Sequence, residues 1–186
     1  YSSAASDVYK RQMQRNIYYL LKNIKSNGWE KQAQVFPVAV GDAADVLDIW
    51  GGGTGASLIK GWANIPAYHV TQVPILTLDR IVGEEIHNKK ALIVVDIEGA
   101  EYMLLQGAGS IIKNNVKPIW MIEITTTEHQ PNLEMNKYFR KTFELFFDNG
   151  YEAFTADDAR QQINRLDLDL IESRALILTT HNFIFR

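Results

Sequence analysis

Apolar residues recur at helical spacing in three stretches of the chain. Ile17, Leu20, Leu21 and Ile24 form one stripe that stops at Asn27-Gly28. Ala100, Met103, Leu104, Gly107, Ala108, Ile111 and Ile112 form a second, running over more than three turns. Met135, Tyr138, Phe139, Phe143, Phe146 and Phe147 form a third, opened by Pro131-Asn132 and closed by Asn149-Gly150. Each predicts a helix whose apolar face belongs to the core. The intervening apolar runs have the shorter, β-branched character of strands. Leu92-Ile93-Val94-Val95 predicts a strand covered on both faces, as in a parallel sheet. Ile119 to Ile122 looks similar, and Tyr151 to Thr155 and Phe183 to Phe185 add two more. Residues 34–40 are a weaker strand, because Pro37 cannot donate to a ladder and favours an edge or a strand start. Strands alternating with helices predict one α/β domain built on a doubly wound, mostly parallel sheet.

Composition narrows the function without naming it. The 186 residues are 46% hydrophobic and 22% charged, with a net charge of −3, as expected of a water-soluble globular domain. Mild acidity argues against nucleic acid as a partner, since phosphate binding needs clustered Lys and Arg. The chain has no cysteine, which excludes disulfides, Cys-ligated zinc and a Cys nucleophile. That absence fits a reducing compartment, and the expectation is a cytoplasmic protein. No apolar run approaches the length of a membrane span.

The first residues belong to a different origin. Ser2 to Gln12 translate back throughout into a transposase-based sequencing adapter, and such segments are set aside before fold reasoning. The biological sequence is therefore expected to start near Met13, over residues 13–186, and to continue upstream in the parent protein.

In α/β sheets, ligands bind outside the carboxyl ends of the strands. Four strand endings carry acidic or polar groups: Gly41-Asp42, Asp96-Ile97-Glu98-Gly99, Glu123 with Thr125 to His129, and Asp157-Asp158. The richest is Val95-Asp96-Ile97-Glu98-Gly99-Ala100-Glu101, with three carboxylates on one strand-to-helix turn. Acidic side chains suit the start of a helix, which accounts for Glu101 and in part for Glu98. Asp96 precedes the helix, and a charge at the mouth of a buried strand is costly unless paired or used.

A glycine-rich stretch, Gly51-Gly52-Gly53-Thr54-Gly55, competes for attention. Gly51, Gly53 and Ala56 satisfy a dinucleotide-type G-x-G-x-x-A pattern, and Asp79 lies downstream where a ribose contact would be sought, so a nicotinamide-dependent oxidoreductase is one alternative. Trp50 interrupts the expected strand-to-glycine junction, and Pro66 shortens any following helix. The stretch from Gly55 to Asp96 is also too short for two β-α units. Lys60 comes too late for a phosphate-binding loop. A substrate-side loop is the better reading.

The order of motifs resembles the FkbM-type methyltransferases. It runs through Asn16, Leu20-Leu21 and Asn27, Val35 to Asp42, Gly55-Ala56-Ser57-Leu58, Val73 to Asp79, and Asp96-Ile97-Glu98-Gly99-Ala100-Glu101. Leu104 to Ala108, Pro118 to Glu123 and Asn182 to Phe185 continue it. The resemblance implies a Rossmann-like class I methyltransferase fold and methyl transfer from S-adenosylmethionine to a small-molecule or glycan hydroxyl. In the family a glycine loop follows the first strand and an acidic residue the second. Neither appears upstream of Met13, so the sheet is expected to lack its first two strands and the chain by itself to bind cofactor weakly.

Roles follow from the resemblance and from chemistry. Asp96 is the first candidate to orient the acceptor or the cofactor's amino group, or to take the hydroxyl proton. Asp42 is placed near the adenine, with Ala39 and Val40 as an apolar wall. Glu98, Glu123 and His129 are assigned to the acceptor side, His129 because its ordinary pKa suits a base. Trp62 and Tyr68 either stack on a sugar or pack. An oxygen-rich metal site from Asp96, Glu98, Glu123 and His129 lacks metal-type spacing, and no metal is expected. A non-catalytic module on the same scaffold is the remaining alternative.

Overall fold

The computed structural model describes residues 16–186; the adapter-like segment Ser2 to Gln12 and Met13 lie outside them. In chain order the elements are helix α1 (residues 16–26), strands β1 (Ala39–Val40), β2 (Asp45–Trp50) and β3 (Val70–Leu76), helix α2 (Leu78–Ile86), strand β4 (Leu92–Val95), helices α3 (Glu101–Gln106) and α4 (Gly109–Ile112), strand β5 (Ile119–Glu123), helix α5 (Phe139–Asp148), strands β6 (Ala153–Thr155) and β7 (Gln162–Ile163), helix α6 (Arg165–Glu172) and strand β8 (Asn182–Phe185).

The described strands make two sheets, ordered β1-β3-β2 and β4-β5-β8-β6-β7. Only β1–β3 and β4–β5 pair parallel. The pairs β2–β3, β5–β8, β6–β7 and β6–β8 are antiparallel. The architecture is thus α/β, but the expected mostly parallel sheet is not what these strands form. A parallel pair needs a long crossover, and α3 and α4 supply one between β4 and β5. The chain instead turns directly from β6 into β7 and re-enters beside β5 from the opposite direction through β8.

The main core lies between β5, β8, β6 and α5. Trp120, Phe139, Phe143, Phe146, Phe183 and Phe185 are fully buried there. Phe146 stacks on Phe185 at 4.0 Å, and Trp120 meets Phe146 edge-on at 5.6 Å. The third sequence stripe is therefore a core face, although its helix starts at Phe139 and Pro131–Leu133 form a separate 3-10 turn. A smaller cluster of Ile49, Val73 and Ile75 holds the β1-β3-β2 sheet, following the alternation of buried and exposed residues along β3.

Three expectations are corrected. The stripe from Ala100 to Ile112 is two short helices that part at Gly107, where the backbone passes so close to Gly41 that only glycine fits. A Cβ on Gly107 would run into the Gly41 carbonyl. On α1, Leu20 and Leu21 are exposed and only Ile17 and Ile24 are half-buried, so that stripe does not face a core among the described residues. On β4, Leu92 and Val94 are 65% and 63% exposed and only Val95 is buried. Leu92 pairs with Ile119, also exposed, so one face of this terminal strand pair is open. The capped helices α2 and α6 escaped the periodicity search: the Thr77 side chain accepts from Arg80 N–H, and Asn164 with Asp167 completes a capping box.

The Gly107 contact joins β1 to the α3–α4 junction by backbone alone. Gly107→Ala is expected to cost at least about 2 kcal/mol of stability, since neither carbonyl nor helix can yield cheaply. A urea unfolding midpoint equal to that of the wild type would show that the junction relaxes.

Candidate functional site

Two turns of backbone build the centre of the site. After β4 the chain must pass from an extended strand into α3 within Asp96 to Ala100, and it does so with Glu98 at φ +57° and Gly99 at φ +96°. The left-handed conformation is unfavourable for Glu98 and is held by neighbours. The Ser57 hydroxyl donates to the Glu98 carbonyl at 2.5 Å, and the Trp62 indole N–H donates to Glu98 Oε2 at 2.8 Å. Glycine is required next: a Cβ at Gly99 would lie 2.5 Å from Trp62 Cζ3. The Gly99 N–H in turn donates to Glu101 Oε1 at 2.9 Å.

These contacts gather carboxylates at the ends of the parallel pair β4 and β5. Asp96, Glu98, Glu101 and Glu123, with Trp62, Gly99 and Thr125, surround a hollow of about 10 Å³, the space of one hydroxyl or water. Glu101 is 5% exposed. Burial pushes its carboxyl up to about 7; backbone N–H groups, Gly99's among them, pull the other way, and the charge of Glu123 adds to the rise. Glu123 is also raised, by desolvation first, then by the charges of Asp96 and Glu98 and a hydrogen-bond contact with Asp96, while His181 opposes the rise.

A larger cavity of about 350 Å³ lies beside the hollow. Ala39, Val40, Ile49, Ala56, Leu58, Val73 and Ile97 give it apolar walls, and Asp96 and Glu98 give it a polar end. Asp96 and Glu98 are the two residues that border both spaces. The structure thus brings together Asp96, Glu98, Glu123, Ala39 and Val40. Asp42 and His129 line neither space, and both are exposed. His129 sits at φ +62°, with its ring 5.9 Å from that of Trp62 and its carbonyl accepting from Ala63 N–H at 2.7 Å.

Sequence reasoning missed two participants. Glu101 is a buried member of the acidic group rather than a solvated helix-start residue. Trp62 is 2% exposed and packs on the turn, so it offers no face to a sugar, whereas Tyr68 is exposed and meets His69 edge-on. No local pattern marks either role, because both depend on loops distant in sequence. The remaining strand-end candidate, Asp157, accepts from Thr155 Oγ1 and Thr179 Oγ1, contacts that hold its carboxyl below the usual range and tie a surface turn.

The glycine-rich stretch is part of a β-hairpin. Gly53–Gly55 form a 3-10 turn after β2, Trp50 bridges to Ser57, and the chain returns through β3 antiparallel to β2. The strand–loop–helix context of a dinucleotide loop is missing. Asp79 is likewise occupied, accepting from Ser110 and Ile111 N–H at the start of α4. Both observations remove the support for a nicotinamide enzyme. Among the described residues no group of three or more His, Cys, Asp or Glu is arranged to hold a metal ion, and no helix is long and apolar enough to cross a membrane.

A model of the methyltransferase FkbM domain matches residues 6–153, which include the whole acidic turn and the cavity walls. The chain belongs to the FkbM methyltransferase domain family. No curated protein and no solved structure matches it. Family membership points to S-adenosylmethionine-dependent methyl transfer in general.

Glu101 makes this acidic turn sensitive to pH. Its folded pKa lies above its unfolded value, so the folded state holds the extra proton and the slope of stability against pH is negative. The stabilising contribution is complete below about pH 4.5 and is lost as pH rises through about 7. Glu101→Gln keeps an acceptor for Gly99 N–H without the charge. It is expected to raise stability by roughly 2–3 kcal/mol near pH 8 and to change little near pH 4. Thermal unfolding of both proteins across this range checks it; parallel curves would deny Glu101 the proton.

Proposed function

We propose that this FkbM domain transfers a methyl group from S-adenosylmethionine to a hydroxyl of a sugar, glycan or natural-product acceptor. The observation that carries the reading is the shared border: Asp96 and Glu98 face both the apolar cavity and the small carboxylate hollow. One space suits a nucleoside and the other a single hydroxyl group, with a pair of carboxylates between them.

The residues fit the cofactor's chemistry. Ala39 and Val40 supply an apolar wall for an adenine ring, while Asp42, after β1, lies outside the cavity lining and reaches the ring's edge only if its turn moves inward. The cationic sulfonium and ammonium groups of S-adenosylmethionine match a carboxylate-lined end, since opposite charge is favoured in a partly desolvated pocket. When bound, the cofactor supplies an electrophilic methyl group. The chain's own residues then have to orient an oxygen and remove its proton. Asp96, at the tip of β4, is assigned to accept the hydrogen bond of the acceptor hydroxyl. Glu123, whose affinity for protons is raised by desolvation first and then by the charges of Asp96 and Glu98, stands beside it to share that proton. Glu98 completes the polar wall. His129 is assigned to the outer acceptor side, as a base that reaches the site only if its loop moves inward.

Calorimetric titration of S-adenosylmethionine into the chain tests the cofactor assignment. Weak, saturable binding is expected, and no heat would sink the assignment. With tritiated cofactor and a panel of sugar and polyol acceptors, Asp96→Asn is expected to lower turnover by about 10²-fold or more. Unchanged turnover would remove Asp96 from the chemistry.

A further inference from the structure

We propose that Trp62 is a positioning residue for this reaction, acting through Glu98; the proposal rests on the methyltransferase reading above. Its geometry is that of a clamp. The indole ring lies against Gly99, so closely that no Cβ fits, and the indole N–H donates to Glu98 Oε2 at 2.8 Å. Ser57, from the same long loop between β2 and β3, holds the Glu98 carbonyl at 2.5 Å and also accepts from Ile59 N–H at 2.9 Å. One loop therefore grips the Glu98 backbone and side chain together.

The grip has a chemical consequence. An unrestrained Glu side chain spreads over several rotamers and its carboxylate follows water. Glu98 borders both the cavity and the hollow, so the place of its carboxylate defines the boundary between methyl donor and acceptor. A donor that is itself buried, on a rigid ring, fixes that carboxylate better than solvent can, because a charge-assisted hydrogen bond from a buried donor meets less competition from water. Trp62 is also the junction between loops. Its neighbour Ala63 donates to the His129 carbonyl at 2.7 Å, and its ring lies 5.9 Å from the His129 imidazole. The loop after β5, which carries the outer acceptor-side residues, is thereby registered against the acidic turn through the same residue.

The test separates positioning from packing. In 1H–15N spectra of the whole chain, the Trp62 indole resonance is identified by its loss in Trp62→Phe. Glu98→Ala is expected to move that resonance and to speed its exchange with solvent by at least about tenfold, the scale of a hydrogen bond to a charged group. An unmoved resonance with unchanged exchange would overturn the proposal. This arm keeps the tryptophan in place, and where Trp62→Phe does not fold the resonance is assigned instead by triple-resonance spectra of the wild-type chain, so the arm still decides. On an acceptor from the panel above, Trp62→Phe is expected to lower kcat at least about tenfold while the calorimetric Kd for S-adenosylmethionine stays within about twofold. The double variant with Glu98→Ala should be no slower than Glu98→Ala alone. Additive losses, or an unchanged kcat, would show that Trp62 does not act through Glu98. A wild-type chain that neither binds the cofactor nor turns over counts against the methyltransferase reading, and the indole coupling then still reports on the clamp.

Discussion

Carboxylates are costly to bury side by side, and the site of this protein is organised around that cost. Asp96, Glu98, Glu101 and Glu123 converge where β4 and β5 end. The structure answers three of them in different ways, while Asp96 stays exposed. Glu98 receives an indole N–H, Glu101 receives a backbone N–H and a raised pKa, and Glu123 gains proton affinity from desolvation first and from its acidic neighbours second. None is neutralised by a Lys or Arg within the hollow. Such an arrangement raises proton affinity and stays attractive to cations.

Everything that keeps those groups together lies outside the turn itself. The aromatic core of Trp120, Phe143, Phe146 and Phe185 fixes β5 and β8, and β4 is aligned on β5 by parallel pairing. The Gly107–Gly41 approach brings β1, and with it Ala39 and Val40, to the same end of the molecule. The β2–β3 hairpin then delivers Ser57 and Trp62. A rigid scaffold with functional groups on its loops is the usual division of labour, and here the loop also supplies the restraint.

The open face of β4 and β5 belongs to the same physical picture. Leu92 and Val94 on the terminal strand β4, with Ile119 on its neighbour β5, present apolar side chains to solvent beside an edge that invites association. Its position matters because β4 also bears Asp96. Whatever lies against this edge will govern how firmly the tip of β4 is held, so the stability of the strand and the precision of the site are linked.

The sequence by itself determined the α/β class, the aromatic face of α5, the strands β4, β5, β6 and β8, and the acidic endings of β4 and β5. Those features are written in local period and in charge at strand ends, which the backbone enforces within a few residues. It did not determine strand direction, because the pattern of a buried strand is the same whichever way its neighbour runs. The open face of β4 and the exposed stripe of α1 were equally hidden, since an apolar run records what a residue prefers and not what is present to cover it. Glu101 read as a helix-start acid and Trp62 as a loop aromatic until the fold brought residues 57–62 onto residues 98–101. Only tertiary structure decides such roles, because a buried carboxylate and the indole that restrains its neighbour acquire their chemistry from groups far away along the chain.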